Sequence, residues 1–150
     1  MIALDFAFTA RVRVAAPLEL GTTHLGRRRV IPINGGTVEG PRLNGVVLPG
    51  GADWQIIRSD GTAELEARYT LRADDGALIA VVNRGLRHGP EAVMRKLAAG
   101  ESVDPGSYYF RSSPMFETAA PAHHWLTQAV FVASGVRHPD LVEIHVYAVR

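Results

Sequence analysis

At 150 residues, 47% of them hydrophobic and 21% charged, the chain has a one-domain length and a globular composition, with too much apolar content for disorder and no apolar run long enough to span a membrane. Sixteen basic against fifteen acidic side chains leave a formal charge of +1, so no general field draws the protein to nucleic acid or anionic lipid. The absence of cysteine excludes disulfides, thiolate nucleophiles, Fe–S clusters and thiolate zinc sites; Asp5 interrupts any signal-like start, and a single domain over residues 1–150 in the cytoplasm is the expectation.

From Leu4 to Val14, Thr9, Arg11 and Arg13 alternate with Phe8, Ala10, Val12 and Val14, the period of a half-buried strand. Arg28 to Glu39 reads as a strand bent at Gly35-Gly36. Leu43 to Leu48 is a further short strand between Gly40-Pro41 and Pro49-Gly50-Gly51, and Asp53 to Arg58 another. Asp74-Asp75-Gly76 marks a hairpin between Glu64–Arg72 and Ala77–Arg84. Leu65, Ala67, Tyr69 and Leu71 share one face of its first strand, and Glu64, Glu66, Arg68, Thr70 and Arg72 the other. Its second strand is apolar on both faces over Leu78 to Val82, which suits a covered position.

Pro90 to Ala99 carries the one helical pattern, with Val93, Met94 and Leu97 on one side and Gly100 as a stop. Tyr108 to Arg111 is extended, Ser112 to Pro121 is polar and punctuated by proline, and Trp125–Val136 and Leu141–Val149 are the closing strands. About nine or ten short strands with one short connecting helix predict an all-β fold, a closed or nearly closed antiparallel barrel or a sandwich.

Chemical motifs are sparse. Gly35-Gly36 and Gly50-Gly51 precede no helix and serve as turns or bulges, not phosphate loops. His123 and His124 are adjacent and would face opposite ways in a strand, so no metal site is expected. No glycine-flanked serine suggests a hydrolase, and Arg27-Arg28-Arg29 reads as a solvated rim. More informative are Asp53 and Trp54 at the mouth of a strand, one of which must point inward. Arg68 lies mid-strand; Arg111 and Glu117 bracket Ser112–Phe116 beside Tyr108, Tyr109 and Phe110, polar groups set in aromatic surface as in small-molecule sites.

The ordered series Gly50-Gly51-Ala52-Asp53-Trp54, Ala67-Arg68-Tyr69, Asp75-Gly76, Asn83-Arg84-Gly85, Tyr109-Phe110-Arg111, Pro114-Met115-Phe116-Glu117-Thr118 and Trp125-Leu126 resembles the domain-of-unknown-function family 3237, also called uncharacterised protein family 0311. The resemblance runs from the first strand to the last, with Thr127 departing from the asparagine expected after Trp-Leu. It implies a small bacterial-type antiparallel barrel, commonly self-associating, with no established general activity. It also implies that Asp53, Arg68, Asn83, Arg111 and Glu117 are the recurrent polar positions, with Trp54 and Trp125 as apolar walls.

Acid and guanidinium types at barrel-mouth positions support a cofactor-independent enzyme, an isomerase, cyclase or lyase acting on a small, partly apolar carbonyl or carboxylate compound. Asp53 or Glu117 would transfer the proton; Arg68 and Arg111 would hold anionic oxygen, with Trp54, Asn83, Tyr109 and Trp125 completing the ligand site. The alternatives are a lipocalin-like carrier or sensor that leaves its ligand unchanged and a structural homo-oligomer. The expected partners are a small molecule and sister subunits, not nucleic acid or membrane.

Overall fold

Residues 1–150 are described by a computed structural model, and the period-2 patterns of the sequence become its strands. In chain order these are β1 (Leu4–Val14), β2 (Leu18–Thr23), β3 (Gly26–Glu39), β4 (Gly45–Val47), β5 (Ala52–Ile57), β6 (Ala63–Ala73), β7 (Leu78–His88), β8 (Tyr109–Glu117), β9 (Val130–Arg137) and β10 (Leu141–Val149). Helix α1 (Glu91–Ala98) and a 3-10 turn at Pro105–Ser107 lie between β7 and β8, and a 3-10 segment at Pro121–Thr127 between β8 and β9. No helix is long and apolar enough to cross a membrane.

Every pairing is antiparallel, and the path β1-β10-β9-β8-β7-β6 returns through β4, β5 and β3 to β1, closing a barrel. Strands β4 and β5 form one stave in tandem: β4 lies between residues 36–38 of β3 and 71–73 of β6, and β5 between residues 27–32 and 63–68 of the same two strands. Strand β2 is outside the ring and pairs only with β3. The bend that lets β3 change partners from β1 to β2 falls at Gly35-Gly36, both with positive φ, opposite a register shift between Arg13 and Val14. A Cβ on Gly36 would drive into the Arg11 carbonyl, so only glycine fits the turn.

Alternation places Phe8, Ala10 and Val12 of β1, Leu65, Tyr69 and Leu71 of β6, Ile79 and Val81 of β7, and Ile144, Val146 and Ala148 of β10 in one buried cluster. The cluster is sealed at one end by the 3-10 segment, which buries Leu126 and lays Trp125 against Phe131 at 5.8 Å, with Phe116 edge-on to Phe131 at 5.1 Å. Phe131 is fully enclosed by these contacts. Phe131→Ala should therefore cost about 3–5 kcal/mol, read as a lowered urea midpoint at unchanged slope.

Leu18–Thr23, to which the sequence assigns no element, is a strand although nearly all of it is exposed, because it is an edge held by backbone bonds to β3 rather than by an apolar face. Three local expectations are corrected. The polar run after Arg111 is strand to Glu117: Pro114 is tolerated opposite Asn83 because β8 bonds to β9 only around Arg111 and Ser112, leaving that edge free of a donor. Trp125–Thr127 is 3-10 helix, and Thr127 Oγ1 donates to the His124 carbonyl at 2.8 Å. Nor is the run Leu78–Val82 covered on both sides; Leu78 is 58% exposed because nothing packs on the outer wall there. Helix α1 follows its pattern, with Val93, Met94 and Leu97 against the core and Gly100 ending it at φ +79°.

Candidate functional site

Closure of the barrel leaves a cavity of about 50 Å³ in its interior, walled by Val12, Ile31, Ile33, Leu65, Phe110 and Ile144. Six polar residues share this lining: Asp53 and Gln55 from β5, Asn83 and Arg87 from β7, Ser112 from β8 and Arg137 from the end of β9. Each arrives by strand parity. Asp53 and Gln55 are two apart, as are Val81, Asn83, Gly85 and Arg87, and Phe131, Ala133, Gly135 and Arg137.

The Asp53 carboxylate accepts a hydrogen bond from Gln55 Nε2 at 2.8 Å and one from the Glu66 backbone N–H at 3.1 Å. Burial nevertheless raises its pKa above the ordinary value, outweighing those bonds and the charges of Arg87 and Arg137. Burial also pulls Arg87 down to about 10, helped by repulsion from Arg137 and opposed by Asp53. Arg137 is lowered by burial and then by Arg29. Nearby, the Tyr69 hydroxyl is pushed up by burial and by Asp53. Five polar atoms on this wall, Gln55 Oε1, Asn83 Oδ1, Arg87 Nε, Ser112 Oγ and Arg137 Nη1, are buried without a hydrogen-bond partner in the protein.

Of the residues singled out in the sequence, Asp53 and Asn83 line this cavity. The others do not converge there. Arg68 lies on the outer wall, parity opposite to Tyr69, beside Glu66, which binds Arg84 at 2.7 Å. Arg111 also points outward, donating from Nη1 to the Phe110 carbonyl with its guanidinium 5.7 Å from the exposed Tyr109 ring. Glu117 is exposed, and Trp54 is 38% exposed; with Arg68 they border a groove on the outside of β5–β8. Trp125 is half-buried in the sealing end, under Arg42 at 3.9 Å. The physical reason is the pleat: Trp54 and Asp53 must face opposite ways, as must Arg68 and Tyr69, and Arg111 and Phe110. Arg68→Ala and Glu117→Gln should each shift stability by less than about 0.5 kcal/mol and leave binding in the interior unchanged, measured by melting and by ligand titration.

Arg87, Gln55, Ser112 and Arg137 were not candidates from the sequence. Arg87 lies beyond the end expected for its strand at Arg84, and Arg137 beyond the last apolar residue of β9. Extending each alternation by two residues is the signal that reaches them. The rim arginines also divide: Arg27 and Arg29 both reach Glu19, at 3.5 and 3.3 Å, and Arg29 is largely buried instead of solvated.

Fold and cavity together define a closed antiparallel barrel with an interior that is apolar on most of its wall and carries two guanidiniums and a carboxyl. The model of the family described as "Protein of unknown function (DUF3237)" matches residues 2–149, and the chain belongs to that family. A UPF0311 protein of Rhodopseudomonas palustris is 48% identical over 144 residues, 96% of this chain and 94% of the relative. The crystal structure of a conserved protein of unknown function from that organism superposes with a TM-score of 0.97, covering 100% of this chain and 99% of that one at 46% identity. A β-barrel-like protein of Acinetobacter baumannii gives 0.87 at 43% identity, covering 100% of this chain and 97% of that one. A Penicillium herquei protein described as an enzyme gives 0.70, covering 97% and 94%; at 19% identity that likeness is one of fold.

Proposed function

We propose that the barrel takes a small carbonyl or carboxylate compound into its interior and moves a proton on it without a cofactor, as isomerases, cyclases and lyases do. Asp53 carries the proton. Arg87 and Arg137 hold the anionic or developing oxyanionic oxygen, the part earlier expected of Arg68 and Arg111, while Gln55, Asn83 and Ser112 fix orientation. The observation that carries this reading is the set of five polar atoms on one cavity wall that have no partner within the protein, because an unpaired buried donor or acceptor costs about 1–3 kcal/mol and a polar ligand seated there would supply the missing partners.

The raised Asp53 pKa suits the role, since a carboxyl that titrates nearer neutrality both takes and returns a proton readily. Arg87 and Arg137 favour an enolate or carboxylate oxygen over a neutral one in so apolar a site. The experiment is solvent-deuterium exchange followed by NMR on pyruvate, 2-oxobutyrate and acetoacetate: the wild-type protein accelerates exchange at the carbon beside the carbonyl, and Asp53→Asn does not. Equal rates with the two proteins would remove the proton-transfer step.

A carrier reading is favoured by one feature, that both Asp53 oxygens already accept hydrogen bonds and so serve as a fixed anchor. Recovery of each probe chemically unaltered and undeuterated after saturating incubation would select it over catalysis.

A further inference from the structure

Arg87 and Arg137 do not only line the interior. They also form the floor of a second, larger hollow of about 380 Å³ at the open end of the barrel, between the start of β3, helix α1 and the β9–β10 turn. Five guanidiniums surround that antechamber, Arg27, Arg29, Arg87, Arg95 and Arg137, against one carboxylate, Glu91. Glu91 is held by Arg95 at 2.6 Å, and Glu19, just outside, is shared between Arg27 and Arg29. Neither Arg87 nor Arg137 has a carboxylate in ion-pair contact, and each keeps a buried nitrogen without a partner.

We propose that the antechamber is a site for a compact polyanion of phosphate or carboxylate groups, and that the ligand of the barrel is a molecule with such a head and a small carbonyl tip that enters the interior. This deepens, and rests on, the assignment of the interior as the place where the tip is bound.

The sizes and charges set this division. About 10–15 Å³ of cavity holds one water, so the 50 Å³ interior admits only a few heavy atoms, whereas the outer hollow takes the bulk of a metabolite-sized ligand. Glu91 and Glu19 offset only two of the five guanidiniums, so a single carboxylate at Arg87 and Arg137 would still leave the ring net positive around a half-enclosed space, where like charges repel one another. Planar guanidiniums pair bidentately with phosphate and carboxylate oxygens, and five of them converging suit a head with two or three negative charges. Overall charge hides this, because the +1 sum averages the ring against acids elsewhere on the barrel.

Pyrophosphate and citrate, titrated calorimetrically at low ionic strength, are the probes, with chloride and acetate as monovalent controls. At least one of the two polyanions should bind and raise the melting temperature, with affinity falling steeply as salt is added; the tighter of the two names the head. Arg27→Ala and Arg95→Ala remove guanidiniums that are half or more exposed, so the fold survives, and each should weaken binding about tenfold or more. Arg72→Ala, on the outer wall, should leave it unchanged. No binding of either polyanion at millimolar concentration, acetate binding as tightly, or equal loss with Arg72→Ala would overturn the proposal. Arginine-dependent polyanion binding that persists while deuterium exchange is absent would sink the proton-transfer reading alone.

Discussion

Replacing Arg87 with methionine should produce a barrel that melts at a higher temperature than the wild type and no longer retains an anion. Arg87 is 7% exposed, its Nε has no partner, and burial draws its pKa down to about 10, all signs that the interior holds this cation at a cost. Methionine fills a similar slender volume against Phe110, over whose ring the guanidinium carbon lies at 5.5 Å. Replacing buried ionic groups by hydrocarbon of like volume is commonly neutral or stabilising by about 1–4 kcal/mol when no partner charge is left unpaired, and Arg87 has no carboxylate in ion-pair contact to lose. Since Arg87 is one of the charges that lower the Asp53 pKa, its removal also moves that carboxyl further upward. Thermal melts paired with pyrophosphate titration read both effects, and a variant that melts lower while keeping its affinity would show that Arg87 is structural.

Asp53→Asn carries the second large expectation: exchange activity falls by about 10²–10⁴, the usual contribution of a positioned acid or base, while the fold persists. Asparagine keeps an acceptor for the Glu66 N–H and brings a donor that can meet Gln55 Oε1, which lacks a partner in the wild type. The stability difference has a definite sign. The folded pKa of Asp53 is raised, so the native state holds this proton more tightly than the unfolded chain, whose ordinary value is 3.8. Between 3.8 and the raised value the native protein binds more protons, and wild-type stability falls as pH increases through that window. Above it the buried carboxylate remains a liability that asparagine lacks. The variant should thus match the wild type at low pH and exceed it at neutral pH, as followed by denaturant midpoints across the range; a wild type that gains stability relative to Asp53→Asn on raising the pH would contradict the assignment.

Both experiments concern residues that oppose folding. Arg87, Arg137 and Asp53 all have pKa values displaced by burial toward their neutral forms, yet none is in an ion pair that would offset the displacement. Exposed pairs such as Arg58–Glu64 at 2.8 Å or Arg150–Asp5 at 2.9 Å lie on the outside, where screening leaves them little weight. Three charged groups on the interior wall thus lack the ion pair that several surface residues have, the reverse of what stability alone would select.

Much of the barrel is legible along the chain because antiparallel strands with one wetted face alternate visibly. Leu65, Ala67, Tyr69 and Leu71 against Glu64, Glu66, Arg68 and Thr70 separate the two sides of β6, and the Asp75-Gly76 turn pins its register with β7, where Gly76 takes φ +88° and Asp75 Oδ1 accepts from the Ala77 N–H. Asp53 was visible too, as one of two neighbours of which one had to face inward. Strands that announce no apolar face were not visible: β2 is an exposed edge, and the second half of β8 runs through Ser112, Ser113 and Pro114. The same deficit hid Ser112, whose inward direction follows only once β8 is known to continue.

What the amino-acid order determined by itself is the existence of two-sided strands, their antiparallel turns and hence a barrel, because a period of two and a glycine at a tight turn are local properties of a few consecutive residues. Which polar groups meet was decided by closure. Asp53, Arg87, Ser112 and Arg137 are separated by tens of residues and come together only because β3 pairs with β1 along one edge and with the β4–β5 stave along the other, completing the ring. Alternation distinguishes two faces of a strand without saying which is concave when both carry arginine. Only the curvature of the finished wall turns Arg87 inward and leaves Arg68 and Arg111 in solvent.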